Sequence, residues 1–245
     1  LINNFKHTEI FIDLSKVEKV YSSPAVPVTA IIDFFRNRYP ISIILLNKST
    51  YLNNIKFGNP QSIDDTNVIT DYFDTIWKFN TSKQIYKING GIISNIRQLY
   101  ICEEGVIEAC EWVLNEIMDN VLQHSKISSG YIMAQYHKQQ NNLNICIFDL
   151  GQGIYLSMKN SSYNFRTASD AIALSIKQGV TRDKEIGQGN GLWGLYNIIQ
   201  HNEGELGIVS GYGGISIRSN KEIRNFVNPI MLSYTDQTTN VFFHI

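Results

Sequence analysis

A chain of 245 residues, 43% of them hydrophobic, carries enough apolar material for one large domain or two modest ones. Its 21 basic and 22 acidic residues leave a net charge of −1 with no basic cluster, which excludes the electrostatic footprint of a nucleic-acid binder. Cys102, Cys110 and Cys146 lack metal-ligand spacing and read as buried thiols of a reducing compartment. No apolar run reaches membrane-spanning length, and no signal-like segment opens the chain at Leu1, so a cytoplasmic protein is expected, without membrane or nucleic acid as partner.

Residues 9–14 (EIFIDL) alternate and are β-rich, so they predict a strand, and residues 17–21 predict a second. Ser22-Ser23-Pro24 then offers hydroxyl caps and a first-turn proline for a helix over 25–37. Residues 41–46 (ISIILL) follow as a buried strand, and the crossover from 17–21 predicts parallel pairing. The run Ile12-Asp13-Leu14-Ser15-Lys16-Val17 with Val20-Tyr21-Ser22-Ser23 resembles STAS domains, the fold of bacterial anti-anti-sigma factors. In that family an Asp-Ser-Ser-Gly turn opens the helix and its first Ser accepts phosphate. Here Tyr21 replaces the Asp and Pro24 the Gly, so the resemblance covers about the first quarter of the chain without the full phosphoacceptor turn.

Beyond residue 47 the pattern weakens. Asn59-Pro60 marks a turn, residues 64–77 predict a helix, and the polar Phe79-Asn80-Thr81-Ser82 predicts a junction, dividing the chain into 1–80 and 81–245. Residues 102–123 predict a long helix. Residues 131–137 and 143–150 predict strands joined by a Gln/Asn-rich turn. A helix follows over 167–178, capped by Thr167 or Ser169, and another over 193–202. Residues 205–210 and 214–219 predict a hairpin across a Gly-rich turn. The last strand, 239–245, has Val241, Phe243 and Ile245 on one face.

Within the long helix, Glu116, Asn120 and His124 stand four residues apart and so form one polar stripe. The plain reading is a solvated face. A carboxylate and a carboxamide one turn apart also suit a Mg-nucleotide site, the amide oxygen as a ligand for a hard cation and the carboxylate as a base. Two further motifs follow in order, Asp149-x-Gly151-x-Gly153 after a strand and Gly187-x-Gly189-x-Gly191-Leu192 before a helix. Each alone is an ordinary turn or loop. Gly189-x-Gly191-x-x-Gly194 matches a dinucleotide fingerprint but lacks the preceding buried strand, and no P-loop occurs.

Taken together, the three motifs resemble the GHKL superfamily, the ATPase domains of gyrase, the heat-shock chaperone, histidine kinases and mismatch-repair proteins, over about residues 95–245. The pattern is most similar to the anti-sigma-factor Ser/Thr kinases, whose partners are STAS proteins. The resemblance implies an α/β fold, a small STAS-like domain followed by a two-layer α/β sandwich of the GHKL (Bergerat) type. It implies that Asp149 accepts a hydrogen bond from the adenine amine, and that Gly151 and Gly153 let the backbone pass close to base and ribose. Asn120 would hold Mg²⁺, Glu116 would be the general base, and Gly187, Gly189, Gly191 and Leu192 would enclose the phosphates. Thr239 takes the place of the family's adenine-contacting Thr, although Thr238 stands where Gly is usual. His124 reads as structural, and Arg182 and Lys184 fall in the lid.

The expected activity is that of an ATPase or protein Ser/Thr kinase in bacterial signalling, with ATP and Mg²⁺ as cofactors and a STAS-like or other regulatory protein as partner. The alternative is a non-catalytic switch in which ATP alters the surface offered to a partner. A homodimer is compatible with either.

Overall fold

The computed structural model describes residues 9–64, 71–99, 104–124, 129–159, 161–180, 190–218, 222–227 and 238–245. They form a mixed α/β fold around an eight-stranded mixed sheet. Its strands in chain order are β3 (Gln61–Ser62), β4 (Trp77–Phe79), β5 (Gly130–His137), β6 (Asn142–Asp149), β7 (Glu205–Ser210), β8 (Gly213–Ile217), β9 (Ile223–Val227) and β10 (Thr239–His244). They lie side by side as β3-β4-β5-β6-β10-β7-β8-β9. The closing strand β10 is thus inserted between β6 and β7, antiparallel to both.

Alternation along these strands sends side chains to two cores. Ile132, Ala134, Ile145, Ile147, Ile208, Ile215, Val241 and Phe243 face a layer of helices: α3 (Ser82–Leu99), α4 (Val106–His124), α6 (Ala168–Ser175) and α7 (Gly191–His201). Tyr131, Met133, Cys146 and Phe148 face the other way, onto α1 (Ser22–Arg38) and residues around the short α2 (Thr50–Asn54). α1 also packs against a separate two-stranded parallel pair, β1 (Glu9–Asp13) with β2 (Ser42–Leu46). The sheet is therefore covered on both faces, and residues 9–64 supply the third layer over the two expected for 81–245.

Position 80 separates β4 from α3, but packing crosses it. β4 pairs with β5, and Asp33 on α1 accepts from both Lys78 Nζ and Tyr131 Oη at 2.7 Å. The polar stretch read as a junction is a helix start: Gln84 N–H donates to Thr81 Oγ1 at 3.3 Å, and Gln84 Oε1 accepts from Asn80 N–H at 2.8 Å. The helix it opens, α3, has no counterpart among the sequence expectations.

Two other expectations are corrected. Residues 17–21 form no strand. The Val17 N–H closes a turn on Leu14 O at 2.9 Å, and β1 supplies the parallel partner of β2. Residues 71–77 are not helical, the rest of 65–70 lying outside the described residues. Asp74 adopts φ 50°, Phe73 bridges to Ala134, and the Trp77 indole N–H bonds Tyr72 O as β4 begins. The expected helix at 102 begins at Val106. Cys110 and Cys146 are buried, as expected, and Cys102 lies outside the described residues. Among the described residues no helix is long and apolar enough to cross a membrane.

Candidate functional site

One row of residues crosses the end of the sheet. Gly130 pairs with Asp149, Asp149 with Thr239, Thr239 with Ser210, and Ser210 with Gly213. Directly paired residues of antiparallel strands put their side chains on the same face. Two residues inward from each stand Ile132, Ile147, Val241, Ile208 and Ile215, all in the core beneath the helices. Asp149, Thr239 and Ser210 therefore point to the helix side, at the rim where that core ends.

The row is polar in its middle and glycine at its flanks. A Cβ on Gly130 would fall 2.3 Å from the Phe79 ring and 2.8 Å from Val121 Cγ1, so α4 presses on the sheet here. A Cβ on Gly213 would meet the backbone at Ala168 and Ser169, where α6 begins. That helix start carries a Thr167–Asp170 capping box, so of the two caps expected, Thr167 and Ser169, it is Thr167 that serves.

Asp149 is 5% exposed and accepts from the Gly151 N–H at 2.7 Å and from the Thr239 hydroxyl. Burial pushes its carboxyl from 3.8 up to about 7, against the smaller opposing pull of those two hydrogen bonds. Thr239 Oγ1 in turn lies 3.3 Å from Ser210 Oγ, which accepts from Ile154 N–H at 2.8 Å. Gly151 is thus the residue that turns the chain back onto the carboxylate. Gly153, at φ 70°, opens the short helix α5 (Gly153–Met158) in a backbone region that side chains disfavour. A cleft of about 200 Å³ opens beside it, between Gly153, Leu156, Ala168 and the Ser210-Gly211-Tyr212 turn. That is below the usual ~300–1,000 Å³ of a small-molecule site, room for a ring rather than a whole nucleotide.

Glu116 and Asn120 are half-buried on α4. Gly191, the buried first residue of α7, abuts them: a Cβ there would stand 3.0 Å from Glu116 Cβ and 3.5 Å from Asn120 Nδ2. One turn on, a Cβ at Gly194 would fall 2.3 Å from Trp112 Cζ3. The glycines allow α7 to lie close against the α4 stripe of Trp112, Glu116 and Asn120. Val121, next to Asn120, caps Gly130, whose sheet neighbour is Asp149, about 5 Å across the strands. Residues 116, 120 and 191 thus form one contact between α4 and α7, residues 149 and 239 lie in the row across the sheet, and Val121 of α4 on Gly130 is what joins the two.

The donor set suits a magnesium nucleotide in a limited way. Among the described residues no group of three His, Cys, Asp or Glu side chains could hold a metal alone. A cation beside Asn120 would therefore depend on phosphate oxygens and water, the usual arrangement for Mg²⁺. Leu192 packs against the helix-side core and serves it directly. Gly187, Gly189, Arg182 and Lys184 lie outside the described residues, as does the side chain of His124.

Ser210 and Gly130 were absent from the sequence expectations. Neither belongs to a local motif, and only the register of β10 between β6 and β7 brings Ser210 beside Thr239 and Asp149. No protein-family model matches the chain, and no curated protein matches it.

Proposed function

We propose that the chain is a Mg-ATP-binding protein of the GHKL type with a STAS-like N-terminal segment, acting as an ATPase or protein Ser/Thr kinase in signalling. The observation that carries this reading is that α4, whose Glu116 and Asn120 abut the glycine opening α7, presses through Val121 on Gly130, the sheet neighbour of the buried Asp149. Asp149 would take the adenine amine: a buried carboxylate on a rigid strand end discriminates a donor from an acceptor better than a solvated one. Thr239 and Ser210 orient it through hydroxyls. The start of α7 offers N–H groups toward an anion, next to Glu116 and Asn120. Mg²⁺, when bound with the nucleotide, would neutralise charge on the phosphate oxygens. Glu116 would take the proton of the attacking water or hydroxyl, and a regulatory protein of STAS type is the partner that would supply that hydroxyl.

Thermal unfolding with and without Mg-ATP tests the reading. At a hundred times its Kd the nucleotide stabilises the folded chain by about 2.7 kcal/mol, and Asp149→Asn removes about half of that gain or more. An unchanged transition at millimolar Mg-ATP overturns the proposal.

A further inference from the structure

A second cleft lies away from this rim. It has a volume of about 490 Å³, within the usual ~300–1,000 Å³ of a small-molecule site. It opens between the connection from β1 to α1 and the far end of β5, and is lined among others by Lys19, Tyr21, Tyr51, Gln135, His137 and Lys138. Gln135 stands five residues along β5 from Gly130, roughly 17 Å at ~3.4 Å per residue. Gln135 and His137 also share the alternation of Tyr131 and Met133, so they face α1, opposite to Asp149.

The floor of the cleft is fixed. Gln135 is 2% exposed; its Oε1 accepts from Ser22 N–H at 2.5 Å, and its Nε2 lies 3.1 Å from Tyr51 Oη, 3.2 Å from Asp74 Oδ1 and 3.4 Å from Val20 O. The Tyr51 hydroxyl donates to Val20 O at 2.9 Å. Recognition is thus left to the walls, which bear two exposed lysines and no acidic side chain. Neither Lys19 nor Lys138 has an ion-pair partner among the described residues. His137 adds a third nitrogen, a donor in the Nε2–H tautomer: the atom is buried without a hydrogen-bond partner among the described residues, and the Asp74 carboxylate below the cleft acts on the same ring electrostatically. Such an atom is rare in a settled interior. The Tyr21 ring meets the imidazole edge-on at 5.5 Å and is itself 64% exposed, so it is free to turn aside and admit an acceptor.

We propose that this cleft binds a small organic oxyanion, a carboxylate or phosphate carrying a flat ring, with its oxygens between Lys19, Lys138 and His137 and its ring against Tyr21. The ammonium groups supply charge, the imidazole a directed hydrogen bond, and the tyrosine an apolar face with a quadrupole suited to ring stacking. Rigidity of the Gln135 floor lowers the ordering cost of binding.

Imidazole NMR on the full chain tests this, with His137 assigned by His137→Gln, in phosphate-free buffer at low salt. Phenyl phosphate and benzoate separate the two headgroups, and benzyl alcohol supplies the ring without the charge. A saturable shift of the His137 resonances is expected with at least one anion, at a Kd near ~1 mM, weakening roughly tenfold in the Lys19→Gln/Lys138→Gln double variant. Asp149→Asn leaves this binding unchanged, which separates it from the nucleotide reading. The proposal is overturned by an absent shift, by an equal response to benzyl alcohol, or by unchanged affinity in a double variant whose amide spectrum is folded.

Discussion

Asp149 is a carboxyl held where charge is costly, and the stability of the molecule registers it. Its folded value of about 7 against 3.8 corresponds to about 4 kcal/mol at ~1.36 kcal/mol per pH unit. The sign follows from proton counts. Below about pH 4 both folded and unfolded chains hold the proton, and the burial penalty is absent. Between about 4 and 7 the folded chain keeps a proton that the unfolded chain has released, so stability falls as pH rises, and above about 7 the whole penalty stands. Asp149→Asn removes this titration. In urea unfolding the variant should gain about 2–3 kcal/mol relative to wild type on going from pH 5 to pH 8. A difference that is flat over that range would mean the carboxyl is not buried as charge. In the same samples ATP affinity falls at least tenfold, about 1.4 kcal/mol, by titration calorimetry, because the amide reverses part of the polarity facing the adenine amine. A residue that costs stability and confers binding is what a functional site predicts. Gain of stability with full retention of ATP affinity would remove Asp149 from adenine recognition.

At the scale of the element, α4 and α7 form one device, because glycine at two positions sets their separation. Gly194→Ala drives a methyl into the Trp112 ring and should destabilise by about 1–3 kcal/mol, with Trp112→Phe in the same chain restoring most of it. Chemical denaturation of the three variants measures this, and an additive double variant would show that the two residues do not meet. On the other helix the two polar groups should separate by function. Glu116→Gln keeps shape and leaves Mg-ATP binding intact while phosphoryl transfer falls by roughly 10²–10⁴-fold. Asn120→Ala loses binding and transfer together. Turnover by Glu116→Gln at the wild-type rate would move the base elsewhere, and a wild type that turns nothing over with any candidate partner leaves the switch reading in place. α4, α7, β5, β6 and β10 were legible because their apolar periods are uninterrupted. α3 was not, although Ile85, Ile88, Ile92, Ile93 and Ile96 keep helical spacing. Asn89-Gly90-Gly91 breaks its propensity at the centre, and Gly91 is there because the Tyr72 ring occupies the place of a Cβ. The motifs of the rim were legible one by one. The row that joins Asp149, Thr239 and Ser210 was not, since it depends on β10 threading between β6 and β7 and on a Ser210 that no local pattern marks.

For the molecule as a whole, the sequence suggests two units joined near residue 80, and the packing makes a different prediction about how it unfolds. Tyr131, Met133, Cys146, Phe148 and Leu150 are each less than 10% exposed because α1 and the α2 region cover them. Uncovering large apolar side chains of this kind costs about 1.5–3 kcal/mol each, a sum that rivals the whole stability of an ordinary domain. Asp33 adds a polar tie from α1 to Lys78 and Tyr131, half-shielded from solvent, so that the cover is held in register as well as buried. The Tyr131 hydroxyl is pushed up by burial first and by the Asp33 carboxylate second, which keeps it a donor throughout the usual pH range. The full chain should therefore unfold in one cooperative step, with far-UV circular dichroism and tryptophan fluorescence giving coincident urea curves and a single midpoint. Trp77 reports on the helix-side core and far-UV signal on the whole, so two independent units would separate the curves. Residues 81–245 alone should be insoluble or bind a hydrophobic dye, because the face that α1 covers would be open to water. Two resolved transitions, or a soluble 81–245 fragment with native circular dichroism, would show that the N-terminal layer is a docked neighbour rather than part of the core. In that case ligand at the β5 cleft would reach the Asp149 row only through a separable contact. A single transition instead makes the sheet one rigid plate, with the Lys19–His137 cleft on one face and the Asp149 row on the other, so that ordering of either end is felt in the stability of both.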